Sequence, residues 1–305
     1  MKTFYSHGKL LLSGEYLVLD GALALGAPTR LGQWLRVRDS IIPGVTWKSL
    51  NPDGSPWFET HFPEGTFDSV HVTGDFPSTT QERLRFFLGK CCEMNPGFSS
   101  TLRQTAVETS LEFPRKWGLG SSSTLVANLA AWAGIDPYTL LRETMGGSGY
   151  DIAAAGSESP FYYQLQEGLP KVANAPFNPP FAGELFFVYL NEKQDSREGI
   201  SRYRNRHFDK ARAVKQASEL SRQMTGAREI GAFREAMDRH EDLIGGILGL
   251  DPVRKRRFSD YPGSIKSLGA WGGDFILVTG TPSDHDYFRN KGFKVIKPFK
   301  ELILT

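Results

Sequence analysis

The chain has 305 residues, enough for one large domain or two ordinary ones with a sizeable core. Hydrophobic residues make up 40% and charged residues 23%, as in typical globular proteins, and the formal net charge is +2. So small a charge gives no global field that would favour nucleic acid or a membrane surface. The two cysteines, Cys91 and Cys92, are adjacent and cannot form an unstrained disulfide, which favours a reducing, cytoplasmic compartment.

The N-terminal half predicts alternating strands and helices. Residues 9–19 (KLLLSGEYLVL) predict two short strands around a Ser-Gly-Glu turn, and residues 31–39 alternate as a strand does. The spacing of apolar side chains predicts a helix over 80–94. Further predicted elements are strands within 40–78, a strand over 101–111, and helices over 121–134, over 136–145 and near 150–155.

The C-terminal half predicts a buried strand over 185–190 and two long helices, over 197–223 and 226–249. Two more strands are predicted over 272–280 and 291–299. The composition shifts at 173–181 (ANAPFNPPF), where prolines accumulate, and this segment is the predicted domain boundary.

A glycine-serine segment, KWGLGSSSTLVANL at 116–129, precedes one of the predicted helices. Gly118 and Gly120 leave the backbone N–H groups open to an anion, and the start of a helix presents further N–H groups with a partial positive charge. This combination suits phosphate. The plain alternative is a helix capped by a serine after a glycine turn.

Three ordered motifs resemble those of the GHMP kinase superfamily, most closely the mevalonate and phosphomevalonate kinases. The first is SHGKLLLSGEYLVLDG at 6–21, with His7 where proline is usual, and the second is PRKWGLGSSS at 114–123. The third is KSLGAWGGD at 266–274, and GGSGYDIAAAG at 146–156 is similar to the segment that carries the catalytic aspartate. The resemblance extends from residue 6 to about 280.

The resemblance implies an α+β fold of two domains, the N-terminal one like domain 2 of ribosomal protein S5 and the C-terminal one ferredoxin-like. Residues 1–175 would form the ATP-binding and catalytic domain, and residues 176–305 the C-terminal GHMP kinase domain. ATP and Mg²⁺ are the implied cofactors. The implied partners are ATP and a small-molecule acceptor, with no nucleic acid and no membrane, in a monomer or homodimer.

The resemblance also assigns roles to residues. Asp151 and Lys9 would be catalytic, and Ser122 would bind Mg²⁺ together with Glu143, the nearest acid upstream of Asp151. Each has a simpler reading: a helix cap for Asp151, and solvated surface charges for Lys9 and Glu143. The implied nucleotide-binding residues are Pro114, Gly118, Leu119, Gly120, Ser121, Ser122 and Ser123. The implied acceptor-binding residues are Glu15, Tyr16, Ser148 and Gly149, although Glu15 could equally satisfy a turn.

The third motif would supply a phosphate loop through Gly269, Ala270 and Gly272, but it departs from the family pattern. Trp271 stands where the family has glycine, and Asp274 stands at the last glycine of the motif. These changes leave several functions open: a kinase acting on mevalonate or phosphomevalonate, a homoserine or sugar kinase, a diphosphomevalonate decarboxylase, or a catalytically weak ATP-binding relative. Two basic clusters, at 202–207 and 253–258, keep nucleic-acid binding as a remote alternative.

Overall fold

The protein was analysed as a computed structural model, which describes residues 1–68, 74, 76–192, 196–269, 271 and 274–305. Ala270 and Gly272, two of the three predicted phosphate-loop residues, lie outside the described residues. The described chain mixes helices with two β-sheets, which confirms the predicted α+β class.

The described strands form one sheet in the order β4-β3-β5-β2-β6-β7, with β1 paired to β2, and a second sheet in the order β11-β8-β10-β9. Their bounds are β1 Lys2–Ser13, β2 Ala24–Asp39, β3 Gly44–Leu50, β4 Pro56–Phe62, β5 Gln104–Leu111, β6 Phe161–Gln166, β7 Leu169–Asn174, β8 Leu185–Tyr189, β9 Ile265–Ser267, β10 Phe275–Thr279 and β11 Ile296–Pro298.

The described α-helices include four long ones, and 3₁₀ turns such as Leu17–Asp20 connect some elements. Their bounds are α1 Thr80–Met94, α2 Phe98–Thr101, α3 Ser121–Ala133, α4 Pro137–Thr144, α5 Tyr150–Gly156, α6 Ser196–Arg204, α7 Lys210–Gly226, α8 Ile230–Leu248, α9 Val253–Arg257, α10 His285–Asn290 and α11 Phe299–Leu302. Among the residues that the structure describes, no helix combines the length and the apolar character needed to cross a bilayer.

The chain divides into two compact units. The first contains residues 1–8, 31–115 and 119–156, and the second contains 9–30, 116–118 and 157–305. Strands β1 and β2 contribute residues to both units, so the chain enters the second unit well before its C-terminal half. The predicted division at residue 175 stays a prediction.

In the first unit, alternation of apolar and polar side chains places one face of the strands in a core. Along β5 every second residue is buried, and this strand pairs antiparallel with β2 and parallel with β3. Helix α1 begins after Thr79, whose side chain accepts a hydrogen bond from the backbone N–H of Glu82 and donates one to its carboxylate. The core combines Val37, Trp47, Leu84, Phe87, Val107 and Leu129 with other apolar side chains.

In the second unit, β8 and β10 pair antiparallel at the centre of the four-stranded sheet and are almost wholly buried. One apolar cluster joins this sheet to Val253, Phe258 and Phe288. A second cluster, which we call the α7–α8 cluster, joins Tyr16, Leu17, Tyr203, Ala217, Ile244, Leu248 and Trp271 to other buried side chains.

Three predicted elements were wrong in part. Residues 9–13 belong to β1 as expected, but Leu17–Asp20 form a 3₁₀ helix and not a strand, because Gly14 and Tyr16 turn the backbone at positive φ (86° and 60°). The helix predicted over 197–223 is two helices, since Asp209 caps the start of α7. The strand predicted over 291–299 is only three residues long.

Candidate active site

The glycine-serine loop leads into α3 through a glycine and not through a serine. The residue before the helix is Gly120 with φ 92°, and having no side chain it cannot cap the first turn. Ser123 Oγ instead donates to the carbonyl of Gly120 at 3.0 Å. Leu119 is fully buried and anchors the loop, while Ser122 is exposed. The start of this thirteen-residue helix thus keeps its N–H groups for a partner, which suits an anion.

A cavity of about 120 Å³ borders the same helix start, within the first unit. Ser121 and Ser122 form part of its wall, together with Arg115 from the second motif. The rest of the wall is largely aromatic and aliphatic, from β2, β3, β4, β5, α1 and α3. Its other lining residues are Gln33, Trp47, Ser49, Trp57, Phe58, Thr80, Arg83, Leu84, Phe87, Thr109, Leu111 and Leu125.

Arg115 lies over the ring of Trp57, with 3.5 Å between the guanidinium carbon and the ring centroid. Partial burial lowers the pKa of Arg115 from its ordinary value, but a guanidinium remains charged at neutral pH. A flat apolar wall with a cation at its rim can hold a planar ring system and an attached anionic group.

Asp151 lies in the first turn of α5, half-buried, and its Oδ1 accepts a hydrogen bond from the N–H of Ile152 at 3.1 Å. Gly149 precedes the helix at φ 85°, and its carbonyl accepts from the N–H groups of Ile152 and Ala153. Ser148 is half-buried beside it. The segment 148–151 therefore positions a carboxylate at the end of a tight turn.

The two predicted magnesium ligands are both surface residues. Ser122 is exposed on the first turn of α3, and Glu143 is exposed on α4 with its Oε1 at 3.8 Å from Nε of Arg142. Within the described ranges, no group of three or more histidine, cysteine or acidic side chains is arranged to hold a metal ion. Mg²⁺ commonly takes one or two protein ligands and completes its shell with phosphate oxygens and water. The role of both residues stays a prediction.

Glu15, predicted to reach the acceptor, lies in a buried ionic cluster of the second unit. Its Oε1 is 2.6 Å from Nζ of Lys266, and both side chains are at most 1% exposed. Nζ of Lys266 also lies 3.3 Å from Oε1 of Glu241, whose Oε2 accepts from Ser267 Oγ at 2.8 Å. His240 completes this group, which we call the Lys266 cluster: its Nε2 accepts the N–H of Gly14 at 2.9 Å.

The Lys266 cluster contains two carboxylates and one ammonium, so burial favours keeping one proton on a carboxylate. Desolvation raises the pKa of Glu15 and raises that of Glu241 to about 7, while the Lys266 charge opposes both shifts. Desolvation, with the Lys266 charge adding to it, holds the pKa of His240 well below its ordinary value. The imidazole is therefore neutral, with its proton on Nδ1 because Nε2 accepts a hydrogen bond. The cluster ties the first motif, at Gly14 and Glu15, to the start of the third, at Lys266.

Tyr16 and Trp271 both adopt positive φ, 60° and 63°, and both side chains are buried in the α7–α8 cluster. The Trp271 ring, 3% exposed, packs near Gly245 of α8. Its bulk therefore fills the core of the second unit. Tyr16 stacks on Tyr203, with ring centroids 5.7 Å apart.

Gly118 and Asp274 meet within the second unit. Gly118 has φ 66°, and a Cβ added there would approach the Asp274 carboxylate closer than the 3.0 Å that real Cβ atoms respect. Gly269 also has positive φ, and no atom of the described residues lies within 4 Å of a Cβ added there. Lys9 is half-buried on β1 and Pro114 is exposed before the loop.

Sequence reasoning found the glycine-serine loop but missed the cavity beside it. Trp57 comes from β4, Arg83 from α1 and Ser49 from β3, and nothing in their local sequence marks them as neighbours. The ionic partner of Glu15 was also missed, because 251 residues separate it from Lys266.

No family model and no curated protein sequence matches this chain. Solved structures do match. The L. major mevalonate kinase in complex with R-mevalonate is 16% identical, with a TM-score of 0.64 over 97% of this chain and 94% of that one. The Streptococcus pneumoniae phosphomevalonate kinase in complex with phosphomevalonate and AMPPNP is 15% identical, with a TM-score of 0.69 over 97% and 99%. The Lactococcus lactis galactokinase complexed with galactose is 11% identical, with a TM-score of 0.64 over 100% and 95%.

These similarities span nearly the whole chain and confirm that it has the fold of the GHMP kinases, as the ordered motifs predicted. At such low identity the likeness establishes the fold alone, and one fold serves many substrates.

Proposed function

We propose that this protein is an ATP-dependent kinase that phosphorylates a small-molecule alcohol or phosphate group, with mevalonate or phosphomevalonate as the acceptor. The observation that carries the proposal is the aromatic cavity bordering the start of α3. A nucleotide needs both features side by side: a flat apolar wall for its base and N–H groups for its phosphates.

The nucleotide would lie along the wall formed by Trp57 and Phe58, with its phosphates at Gly120, Ser121 and Ser122. A glycine in place of a capping serine leaves the helix N–H groups to the phosphates. Bound Mg²⁺ would neutralise charge on the transferred phosphoryl group, and Ser122 is the hydroxyl best placed on the sequence motif to hold it.

In this proposal Asp151 accepts the proton of the acceptor hydroxyl, since its carboxylate is held at the first turn of α5. Lys9 lowers the pKa of that hydroxyl by its positive charge. Asp151 belongs to the first unit and Lys9 to the second, and their pairing stays a prediction.

Two observations support an acceptor of the mevalonate type. The GSGYD segment, which is similar to that of the mevalonate-type kinases, turns at Gly149 with φ 85° and carries Asp151 in the first turn of α5. The matching structures also include kinases whose names specify mevalonate and phosphomevalonate. Galactokinase has the same fold, so substrate choice must be measured.

The test is ADP release from Mg·ATP with mevalonate, phosphomevalonate, homoserine and galactose offered separately. We expect turnover with mevalonate or phosphomevalonate, and loss of turnover but not of ATP binding in Asp151→Ala. Asp136→Asn is the matched control, because Asn preserves the cap that Asp136 provides to α4. Turnover with only homoserine or galactose would refute the acceptor assignment, and no ATP binding would refute the kinase proposal.

A further inference from the structure

Two buried hydroxyl groups lie side by side in the wall of the cavity. Ser49 on β3 and Thr109 on β5 are register partners across the parallel strand pair. Their side-chain oxygens are 2.9 Å apart, and the residues are 3% and 2% exposed. Both residues line the cavity whose wall also includes Trp57 and Ser121.

The two hydroxyls of this pair carry two protons, and only one of them is used in a hydrogen bond between described residues. The indole Nε1–H of Trp47 and the hydroxyl of Thr109 both donate to Ser49 Oγ, each at 2.9 Å, so the proton of Ser49 is the one that remains. Each hydroxyl carries one proton, so a single bond between them uses one of the two. Neither hydroxyl has a further acceptor among the described residues. The remaining proton requires an acceptor from a molecule in the cavity, because an unmade buried hydrogen bond is costly.

We infer that the Ser49–Thr109 pair recognises a ring nitrogen of a purine base by donating this proton. The inference rests on the proposed function, in which the base occupies this cavity. The cavity's aromatic wall suits a planar ring, and a purine ring has unprotonated nitrogens that accept hydrogen bonds in its plane. The pair would thus be a specificity determinant for the nucleotide, distinct from the residues that bind its phosphates.

The test measures binding of ATP and of its 1-deaza, 3-deaza and 7-deaza analogues, each with one ring nitrogen replaced by C–H. The wild-type protein should bind one analogue about three- to tenfold more weakly than ATP, the effect of one net hydrogen bond. Ser49→Ala with Thr109→Val removes both protons, whereas either single variant leaves one. This double variant should bind ATP as weakly as the wild type binds that analogue, and should no longer distinguish the two.

Thr105→Val is the matched control, because Thr105 lies on the same strand, is buried and does not line the cavity. Ser49→Ala leaves the indole N–H of Trp47 without its acceptor, which can destabilise the fold. If the double variant does not fold, adding Trp47→Phe removes this N–H and gives a second variant for the same measurement. Equal wild-type affinity for ATP and all three analogues would overturn the inference while leaving the kinase proposal intact. A double variant that still binds ATP more tightly than the analogue would also overturn the inference. Absence of ATP binding by the wild type would overturn both.

Discussion

The Asp274 carboxylate lies against the α-carbon of Gly118, so that the two residues limit each other's size. The sequence motifs alone place an unexpected acid at 274 and an expected glycine at 118. The Asp274 carboxylate occupies the space that a side chain at position 118 would otherwise fill.

Gly118→Ala should therefore destabilise the protein more than its backbone conformation alone explains. Alanine at positive φ costs about 1–2 kcal/mol, and the overlap with Asp274 adds to that cost. Gly134→Ala is a closely matched control, because Gly134 has the same φ of 66° with open space around it. Urea unfolding of both variants measures the difference. Adding Asp274→Ala should recover part of the extra loss in Gly118→Ala. Equal losses in the two glycine variants would contradict the contact.

Glu241→Gln should change how stability depends on pH. The folded-state pKa of Glu241 is raised from 4.5 to about 7. The stability that the proton of Glu241 gives the folded state is therefore complete below pH 4.5 and is lost as pH rises to about 7. The wild type should therefore lose stability relative to Glu241→Gln over this window, by at most about 1.4 kcal/mol per pH unit. The raised pKa of Glu15 likewise makes the free energy of unfolding decrease as pH rises. The lowered pKa of His240 acts in the opposite direction, because it makes the free energy of unfolding decrease as pH falls below 6.5.

Urea unfolding at several pH values between 4.5 and 8 gives the comparison for Glu241. Subtracting the curve of Glu241→Gln from that of the wild type cancels the His240 contribution, which is common to both proteins. A difference that does not vary with pH would show that folding does not raise the pKa of Glu241.

Trp57→Ala should weaken ATP binding by about tenfold, since stacking of one base on an aromatic ring contributes about 1–3 kcal/mol. Trp34→Ala is the control, because Trp34 also lies beside an arginine, Arg36 at 5.3 Å, but does not line the cavity. Isothermal titration with Mg·ATP gives both affinities. If the two variants bind ATP equally well, the base does not lie on Trp57.

Trp271→Gly should mainly reduce stability. Removing a buried tryptophan ring costs about 3–5 kcal/mol, part of which glycine recovers at φ 63° because it tolerates this conformation. Trp271→Phe should cost much less, since it keeps a ring and removes an indole N–H that has no hydrogen-bond partner among the described residues. Urea unfolding compares the two. Equal stability of both variants would show that the ring contributes little to the α7–α8 cluster.

The sequence predicted those elements that one local pattern determines. The bounds of α1, 80–94, were predicted to the residue, because Leu84, Phe87, Leu88 and Cys91 recur at helical spacing. Leu17 and Val18 suggested a strand, but two positive-φ residues before them, which apolar spacing does not reveal, produce a 3₁₀ helix.

The candidate site was predictable where a motif is contiguous and not where it is assembled by folding. The glycine-serine loop and the turn before Asp151 are each continuous in sequence. The cavity wall joins Ser49, Trp57, Arg83 and Thr109 from separate elements. Only pairing of β3 with β5 places Ser49 beside Thr109, and alternation along each strand cannot give that register.

The early entry of the chain into the second unit limits how the protein can be divided. Residues 9–30 belong to that unit and supply Glu15, the closest counterion of buried Lys266. A fragment starting at 176 would keep Lys266 and Glu241 but lose the closer carboxylate, and removing one partner of a buried ion pair costs about 3–5 kcal/mol. The C-terminal half therefore cannot be exchanged alone. A chimera that replaces it must also replace residues 9–30, which belong to the same unit. Conversely, a separately expressed N-terminal fragment that includes residues 9–30 should restore folding to the C-terminal one by complementation.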